Sequence, residues 1–361
     1  TEFSGEWKEE LLDRIATLSK GIGIPKEQLS EDGDPCILYG ELYTKYKSEI
    51  IKQVESKTDI DGSKLKRSKA NDVIIPCSGE TAVDIATARC VPFDSILLGG
   101  DLNVISLHKY DGAFMSYQLN GKRKYDIARV AQGVSVVHLY GEHLKTIKTY
   151  NPTLPEQQKI AILLSLLDER IATQNKIIDK LQSLIKGIAQ NIVSNNKPNI
   201  RLSDCLDCSS STLQESDVCE TGIYPVYGAN GIVGYLDNYN TEGEAVYIIK
   251  DGSGVGIVSY ATGKCSATGT LNTLQAKDGY SLQYLYYILK VFNFEPYKTG
   301  MAIPHIYFKD YGKAKIFCPS YTEQLRYARL QSAIDSKLSV EKNILTSLSS
   351  QKQYLLRQMF I

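Results

Sequence analysis

The feature that most constrains this sequence is a segment, residues 152–196, whose apolar positions repeat with heptad spacing. Ile160, Leu164, Leu167, Ile171, Ile178, Leu181, Ile185, Ile188 and Ile192 alternate four and three apart, and Gln174 fills the polar gap. Sustained a/d spacing predicts a coiled-coil helix rather than a surface helix resting on one globule. Pro155 suits a first helical turn, Glu156 follows where the helix dipole favours an acid, and Pro198 marks the stop. About forty helical residues at roughly 1.5 Å rise make a rod of about 60 Å.

The same pattern returns near the end of the chain. Pro319, Glu323, Gln324, Asp335 and Leu348 stand 167 positions after Pro152, Glu156, Gln157, Asp168 and Leu181. On that offset Ile334, Leu338, Leu345, Leu348, Leu355 and Met359 continue the seam, and Glu341 takes the polar slot of Gln174. Two helices with one register and a polar residue at the matching level are suited to pair with each other, since a buried polar position fixes register. The alternative is two unrelated amphipathic helices, each packed on its own neighbour. The shared P-x-x-x-E-Q start argues against it.

With 361 residues the chain has room for two or three domains. No run of eighteen apolar residues predicts a membrane span. The opening TEFSGEWKEELL has no apolar core of a signal peptide, and its lack of Met points to a truncated or tagged start. A cytoplasmic protein is expected. Lys plus Arg (41) equals Asp plus Glu (41), so net charge does not announce a nucleic-acid binder; local patches would have to meet phosphates. Cys36, Cys77, Cys90, Cys265 and Cys318 are isolated and read as reduced core thiols. Cys205 and Cys208 form C-x-x-C, with Cys219 and Cys265 as conceivable further ligands, but a structural zinc site shows two close pairs and the second is missing.

Along the chain, residues 7–18 suit a helix or a strand-entering segment closing on Ile15. Residues 72–76 read as a buried strand, and 96–105 as a second strand signal broken by a glycine turn. Residues 280–292 look helical, with Leu282, Leu285, Ile288 and Leu289 on one face. Short strands mixed with helices predict α/β globules. The globules repeat as well: Gly133, His138 and Lys148 precede Gly300, His305 and Lys315 by 167 positions. The order is therefore globule, rod, globule, rod, with boundaries at 1–151, 152–197, 198–318 and 319–361. A period this long marks a duplicated domain, not a solenoid. Antiparallel rods would relate the two copies by an approximate two-fold axis.

No active site is legible. Asp251-Gly-Ser-Gly-Val-Gly follows a strand, but a phosphate cradle needs a helix directly after the glycines, and Ile-Val-Ser-Tyr-Ala-Thr-Gly predicts a hairpin instead. Asn151-Pro-Thr-Leu lacks the second proline and the aromatic of the amino-methyltransferase Asn-Pro-Pro-aromatic motif. His108, His138, His143 and His305 make no evident metal triad, and His138 and His305 read as core or strand-end residues. What remains is binding chemistry: tyrosine-rich globules with Gly, Asn, Ser and Lys in their loops. Lys and Arg serve phosphates and guanine, Asn and Gln serve adenine. The candidates are Lys64, Lys66, Arg67, Lys69, Lys122, Arg123 and Lys124 in the first globule. In the second they are Asn230, Lys250, Ser253, Lys264, Lys298 and Lys309. Each alone has a plainer reading as a solvated surface residue.

The segments Pro152-Thr-Leu-Pro-Glu-Gln-Gln-Lys-Ile-Ala, Tyr224-Pro-Val-Tyr-Gly-Ala-Asn-Gly-Ile, Gly300-Met-Ala-Ile-Pro and Tyr39-Gly-Glu-Leu-Tyr-Thr-Lys-Tyr together carry a resemblance. Over essentially its full length the chain resembles the specificity (S) subunit of type I restriction–modification enzymes. The second rod departs from the pattern, because Pro319-Ser-Tyr-Thr-Glu-Gln lacks the usual leucine. The resemblance implies two α/β target-recognition domains in a pseudo-two-fold arrangement, separated by two long antiparallel coiled-coil helices. Each domain would read one half of a split, asymmetric site on double-stranded DNA, and the rods would set the unread spacer. The rods would also dock methyltransferase (M) subunits, through Glu156, Gln157, Leu164, Leu167, Ile171, Ile178 and Leu181 and through Glu323, Gln324, Ile334, Leu338, Leu345 and Leu348. S-adenosylmethionine would come with those subunits, ATP and Mg with a restriction (R) subunit, and no cofactor with this chain. Two rival readings are a self-sufficient methyltransferase or nuclease and a coiled-coil adaptor that binds only proteins.

Overall fold

A computed structural model describes residues 6–360. The Thr1–Gly5 part of the first globule, and the reading of the chain's start, lie outside the described residues. The chain forms two compact units, Thr1–Asn175 with Ile344–Ile361, and Lys176–Asn343. Each unit contains an α/β domain and half of each of two long helices, Leu154–Ser194 and Tyr321–Gln358.

The duplication is visible in the sheets. The first unit carries an antiparallel sheet in the order Ala16–Lys20, Leu102–Leu107, Asp72–Pro76, Arg89–Val91. The second repeats it as Leu206–Ser210, Leu271–Ala276, Glu244–Ile249, Val258–Thr262. Each unit adds a second sheet built on one parallel pair, Asp34–Ile37 with Leu97–Leu98 and Tyr224–Gly228 with Ser266–Ala267. The inner strands are apolar on both faces, as Val73, Ile74 and Ile75 or Val246, Tyr247 and Ile248 show by their complete burial. Residues 7–18 are a strand (Lys8–Leu11), one helical turn (Leu12–Ile15) and a second strand (Ala16–Lys20). The strand pairing with Lys148–Asn151 and Leu102–Leu107 overrides any helical tendency there. Residues 251–257 form the expected hairpin turn, and the predicted helix lies at Leu282–Leu289.

The heptad seam is buried inside the units. Ile160 and Leu164 are covered by Phe114, Tyr117, Leu356 and Phe360 in the first unit. Ile192 and Ile188 pack near Ala328 in the second. In the first unit the start of one long helix thus meets the end of the other, with Lys352 at Asp168 and Leu356 by Ile160 and Leu164, so the two segments run antiparallel there. Gln331, the counterpart of Leu164, is fully buried and donates from Nε2 to the Ile185 carbonyl at 3.3 Å.

Two repeated clamps fasten each domain to its helices. Gln157 Oε1 accepts from the Asp111 amide and Gln324 Oε1 from the Ser281 amide, both at 2.9 Å. Asp111 and Ser281 are themselves the N-caps of Gly112–Asn120 and Leu282–Leu289. On those helices the Tyr117 and Tyr287 hydroxyls donate to Asp168 and Asp335 at 2.7 and 2.8 Å. Below the clamp the units differ. Lys352 Nζ lies 2.6 Å from Asp168 and also pairs with Glu49, all three nearly buried. Burial pushes the Glu49 carboxyl above its ordinary range, and Lys352 opposes that shift. The position of Lys352 in the other copy is Ile185, so this ionic plug belongs to the first unit alone.

Removing one partner of a buried ionic network strands the others without water. Lys352→Ala should cost about 3–5 kcal/mol in chemical denaturation of the full chain. Lys352→Met combined with Glu49→Gln and Asp168→Asn should recover much of that loss. A single variant as stable as the wild type would show the network to be solvated.

Candidate nucleic-acid interface

In the first unit the two basic runs sit on different elements. Lys64 ends a short 3-10 turn capped by Asp61, whose Oδ1 accepts from the Ser63 amide at 2.9 Å. Lys66 and Arg67 form an edge strand against Leu97–Leu98, leaving one side of its backbone open. Arg67 Nη2 is held by Asp34 at 2.6 Å and its Nη1 donates to the Ser95 carbonyl at 3.0 Å. Lys69 is exposed in the turn that follows, where its amide donates to Asp72. Lys122, Arg123 and Lys124 join the Gly112–Asn120 and Lys124–Val130 helices. Of the three only Lys122 is exposed, Arg123 and Lys124 being half-buried. Arg123 meets Asp126 at 3.3 Å and stacks over Tyr150 at 5.0 Å. Burial, reinforced by the Arg89 charge, lowers the Lys124 pKa.

In the second unit the candidates form two groups. Asn230 is exposed in the turn between Tyr224–Gly228 and Gly231–Leu236, where Gly231 at φ +99° permits the tight connection. Lys264 lies over Tyr239 at 4.8 Å and 3.7 Å from Glu242, and Tyr239 packs edge-on against Tyr224. The other group gathers on the glycine hairpin. The Lys250 amide donates to Thr270, and its carbonyl accepts from Ile306 at 2.9 Å. Ser253 stands exposed at the hairpin tip, and His305 Nδ1 meets Asp251 Oδ1 at 2.6 Å. Lys298 pairs with Glu295 at 2.6 Å, and Lys309 lies over Tyr307 at 5.2 Å. His138, by contrast, is exposed on a two-residue strand with its ring against Tyr140. Lys20 over Tyr140 at 5.5 Å is a cation the sequence did not single out, since only the fold brings residues 20 and 140 together.

On the long helices, Glu156 and Glu323 are used locally, accepting from the Thr153 and Ser320 hydroxyls at 2.9 and 2.8 Å to close the first turns. Gln157 and Gln324 are buried in the clamps. Leu164, Leu167, Ile178, Leu338 and Leu348 are buried in the seam, with Ile171, Leu181, Ile334 and Leu345 half-buried. The apolar side chains left in solvent are others, among them Ile162, Leu163, Leu166 and Ile177 on the first helix and Leu330, Val340 and Ile344 on the second. The isolated cysteines are buried free thiols, and burial pushes Cys77 and Cys318 up to about 11. Cys205 and Cys208 are buried and half-buried, Cys219 is exposed, and among the described residues no group of three or more His, Cys, Asp or Glu is placed to hold a metal ion. Among them, too, no helix is long and apolar enough to cross a membrane.

Two copies of one α/β domain on a pair of long helices define a class. The chain belongs to the family of the type I restriction modification DNA specificity domain, whose model matches residues 5–183 and again 198–350. It is 28% identical over 117 residues to the type I restriction enzyme EcoprrI specificity subunit of Escherichia coli, covering 32% of this chain and 29% of that protein. It is 34% identical over 89 residues to the putative specificity subunit S.HindORF215P of Haemophilus influenzae, 24% and 23% of the two lengths. The matched stretches therefore span less than a third of either curated relative. The fold is shared with the S subunit of a type I restriction–modification system from M. genitalium, at TM-score 0.70 and 20% identity over 100% of this chain and 97% of that one. A structure reported for complex assembly and conformational transition of the type I R-M system aligns at TM-score 0.56 and 15% identity over 99% and 98%.

For a DNA-specificity chain the exposed cations make a graded expectation. Replacing Lys64 and Lys69 together by Gln should flatten the dependence of log affinity on log salt by about 0.9 per phosphate contact. Lys124→Gln should change that slope less, because the side chain is half-buried and burial disfavours its charge. Fluorescence anisotropy on duplex DNA across a salt series decides it, and an unaltered slope in the double variant removes both lysines from the interface.

Proposed function

We propose that this chain is the non-catalytic DNA-recognition subunit of a type I restriction–modification complex. In this reading each α/β domain reads one half of a bipartite, asymmetric site on double-stranded DNA. The observation that carries it is the internal duplication. One strand order and one set of clamps occur twice in a chain whose two halves both match the DNA specificity model. A reader with two unequal loop sets on a common scaffold recognises two unequal half-sites, and their spacing follows from the separation of the domains.

The same reading assigns the long helices to docking. Leu163 and Leu330 are repeat-related and exposed, as are Ile177 and Ile344. Matching apolar stretches suit two copies of one partner, the methyltransferase subunits, with the restriction subunit joining that assembly. S-adenosylmethionine, ATP and Mg then belong to the partners, and a cytoplasmic location follows from working on the cell's own DNA.

The test is genomic adenine methylation in cells expressing the neighbouring methyltransferase subunit with and without this chain. A new motif of two short halves around a fixed gap is the expected result. Identical methylation in both, with co-purification of the two proteins, would make the chain a protein adaptor instead. The spacer role has its own check. Lengthening both long helices by one matched heptad should lengthen the unread gap, and an unchanged gap would refute the ruler.

A further inference from the structure

A short segment recurs in both units, residues 132–140 (QGVSVVHLY) and 299–307 (TGMAIPHIY). Each opens on a glycine with positive φ, Gly133 at +122° and Gly300 at +87°. A Cβ there would collide with the carbonyl of Val136 or Ile303, so the loop folds back on the glycine in both copies. Each loop is then closed by two backbone bonds. Gln132 and His138 exchange them at 2.9 and 2.7 Å, and Thr299 and His305 at 2.9 and 2.7 Å.

These closed loops display apolar side chains. Val134 is 97% exposed and Met301 fully so, with Val136 at 53% and Ile303 at 58% behind them. The tip side chains differ between the copies, yet both are apolar. Two residues past each histidine stands a part-exposed tyrosine, Tyr140 or Tyr307, with a lysine over its ring: Lys20 at 5.5 Å and Lys309 at 5.2 Å. The lysines reach that place by different routes, Lys20 from the end of the Ala16–Lys20 strand and Lys309 from the Phe308–Tyr311 turn. The strands bracing the loops, Ser78–Gly79 and the Asp251 bridge, belong to the domains, not to the long helices.

We propose that each segment is a base-contacting finger on duplex DNA. The tip, Val134 or Met301, seats against the C5 methyl of a thymine in its half-site. The lysine braced on the tyrosine, Lys20 or Lys309, meets a neighbouring phosphate. The proposal rests on the DNA-reading function above. The Val134 and Met301 side chains offer no hydrogen-bond donor, and Ser135 beside Val134 is answered by Ala302 in the other copy, so what the two tips share can read only the apolar feature of the major groove, the thymine methyl. The cation held over the tyrosine that follows each loop supplies the phosphate contact that positions such a readout. A groove on a protein partner would call for the apolar tip but not for the lysine rebuilt over the following tyrosine in both copies.

The experiment uses the full chain in complex with its methyltransferase subunits, on a duplex carrying the motif they methylate. Each thymine is replaced in turn by deoxyuridine, which deletes only the methyl, and affinity is read by anisotropy at several salt concentrations. One thymine in each half should then cost about four-fold in affinity, the value of a buried methyl-sized group. Val134→Ser should abolish that sensitivity in one half and Met301→Ser in the other; both tips are solvent-exposed, so the fold is retained. Lys309→Gln should lower the salt slope by about 0.9 without changing which thymine matters. Deoxyuridine tolerated at every position, or still costly in the tip variants, overturns the finger. So do tip variants that lose the methyltransferase subunits instead, which would make the tips protein contacts. Equal binding to target and random duplex defeats the DNA-reading function itself, an outcome distinct from target preference with indifference to deoxyuridine.

Discussion

Neither long helix can bury its heptad seam by itself, and the rest of the molecule answers that constraint. A single amphipathic helix leaves its apolar stripe in water, at about 25 cal/mol for each Å² exposed. Here the stripe is covered twice over, by the other long helix and by one short helix from the adjoining domain. Phe114 and Tyr117 cover Ile160 and Leu164 in the first unit, and Leu285 and Ile288 share a core with Ile192 in the second. Because the seam needs the domain as well as the partner helix, the short helix must be held at a fixed height. The buried carboxamides of Gln157 and Gln324 do this by bonding the amide that precedes it. A glutamine is suited to the task, since it accepts from that amide with one end and donates to the Pro152 or Pro319 carbonyl with the other.

The duplication separates what the architecture requires from what each copy is free to vary. The carboxamide clamp and the tyrosine–aspartate bond occur in both units with nearly the same lengths. The polar filling beneath them does not. Asp168 is met by Lys352, Ser48 and Tyr117, whereas Asp335 has Tyr287 as its hydroxyl donor and lines an open pocket of about 430 Å³ with Lys186, Lys290 and Lys342. Duplicated domains diverge first where no geometric bond has to be kept, so the surviving bonds mark the scaffold.

The sequence carried the scaffold well and the surface poorly, for physical reasons. The seam was legible because burial on one side of a long helix imposes a period that no other arrangement does. The glycine hairpin at 251–256 was legible because a helix cannot follow those residues. The short helix Gly112–Asn120 was not, since Gly112, Phe114, Met115, Ser116, Tyr117, Gln118 and Leu119 are all buried and no polar face remains to set a period. Gln331 was missed as a seam residue because its polarity hid a fully buried position. The candidate cations were legible as residue types only. Whether Lys124 is half-buried or Lys20 displayed depends on strands and helices far away in sequence.

The proposed DNA-reading function needs a physical account of the chain's neutrality, and the surface offers one. Several of its candidate cations already have carboxylate partners, Arg67 with Asp34, Lys264 with Glu242 and Lys298 with Glu295. Exposed pairs of this kind are worth little, about 1 kcal/mol or less, so a phosphate can displace the carboxylate at small cost. The exchange nevertheless subtracts from each phosphate contact and returns a carboxylate that repels the backbone. Non-specific binding, which rests almost wholly on phosphates, is weakened most by that subtraction. Base contacts are not, because they do not depend on the net charge of the surface. Charge balance on such a surface therefore shifts the affinity from the backbone toward the bases, the direction that serves the proposed DNA-reading role.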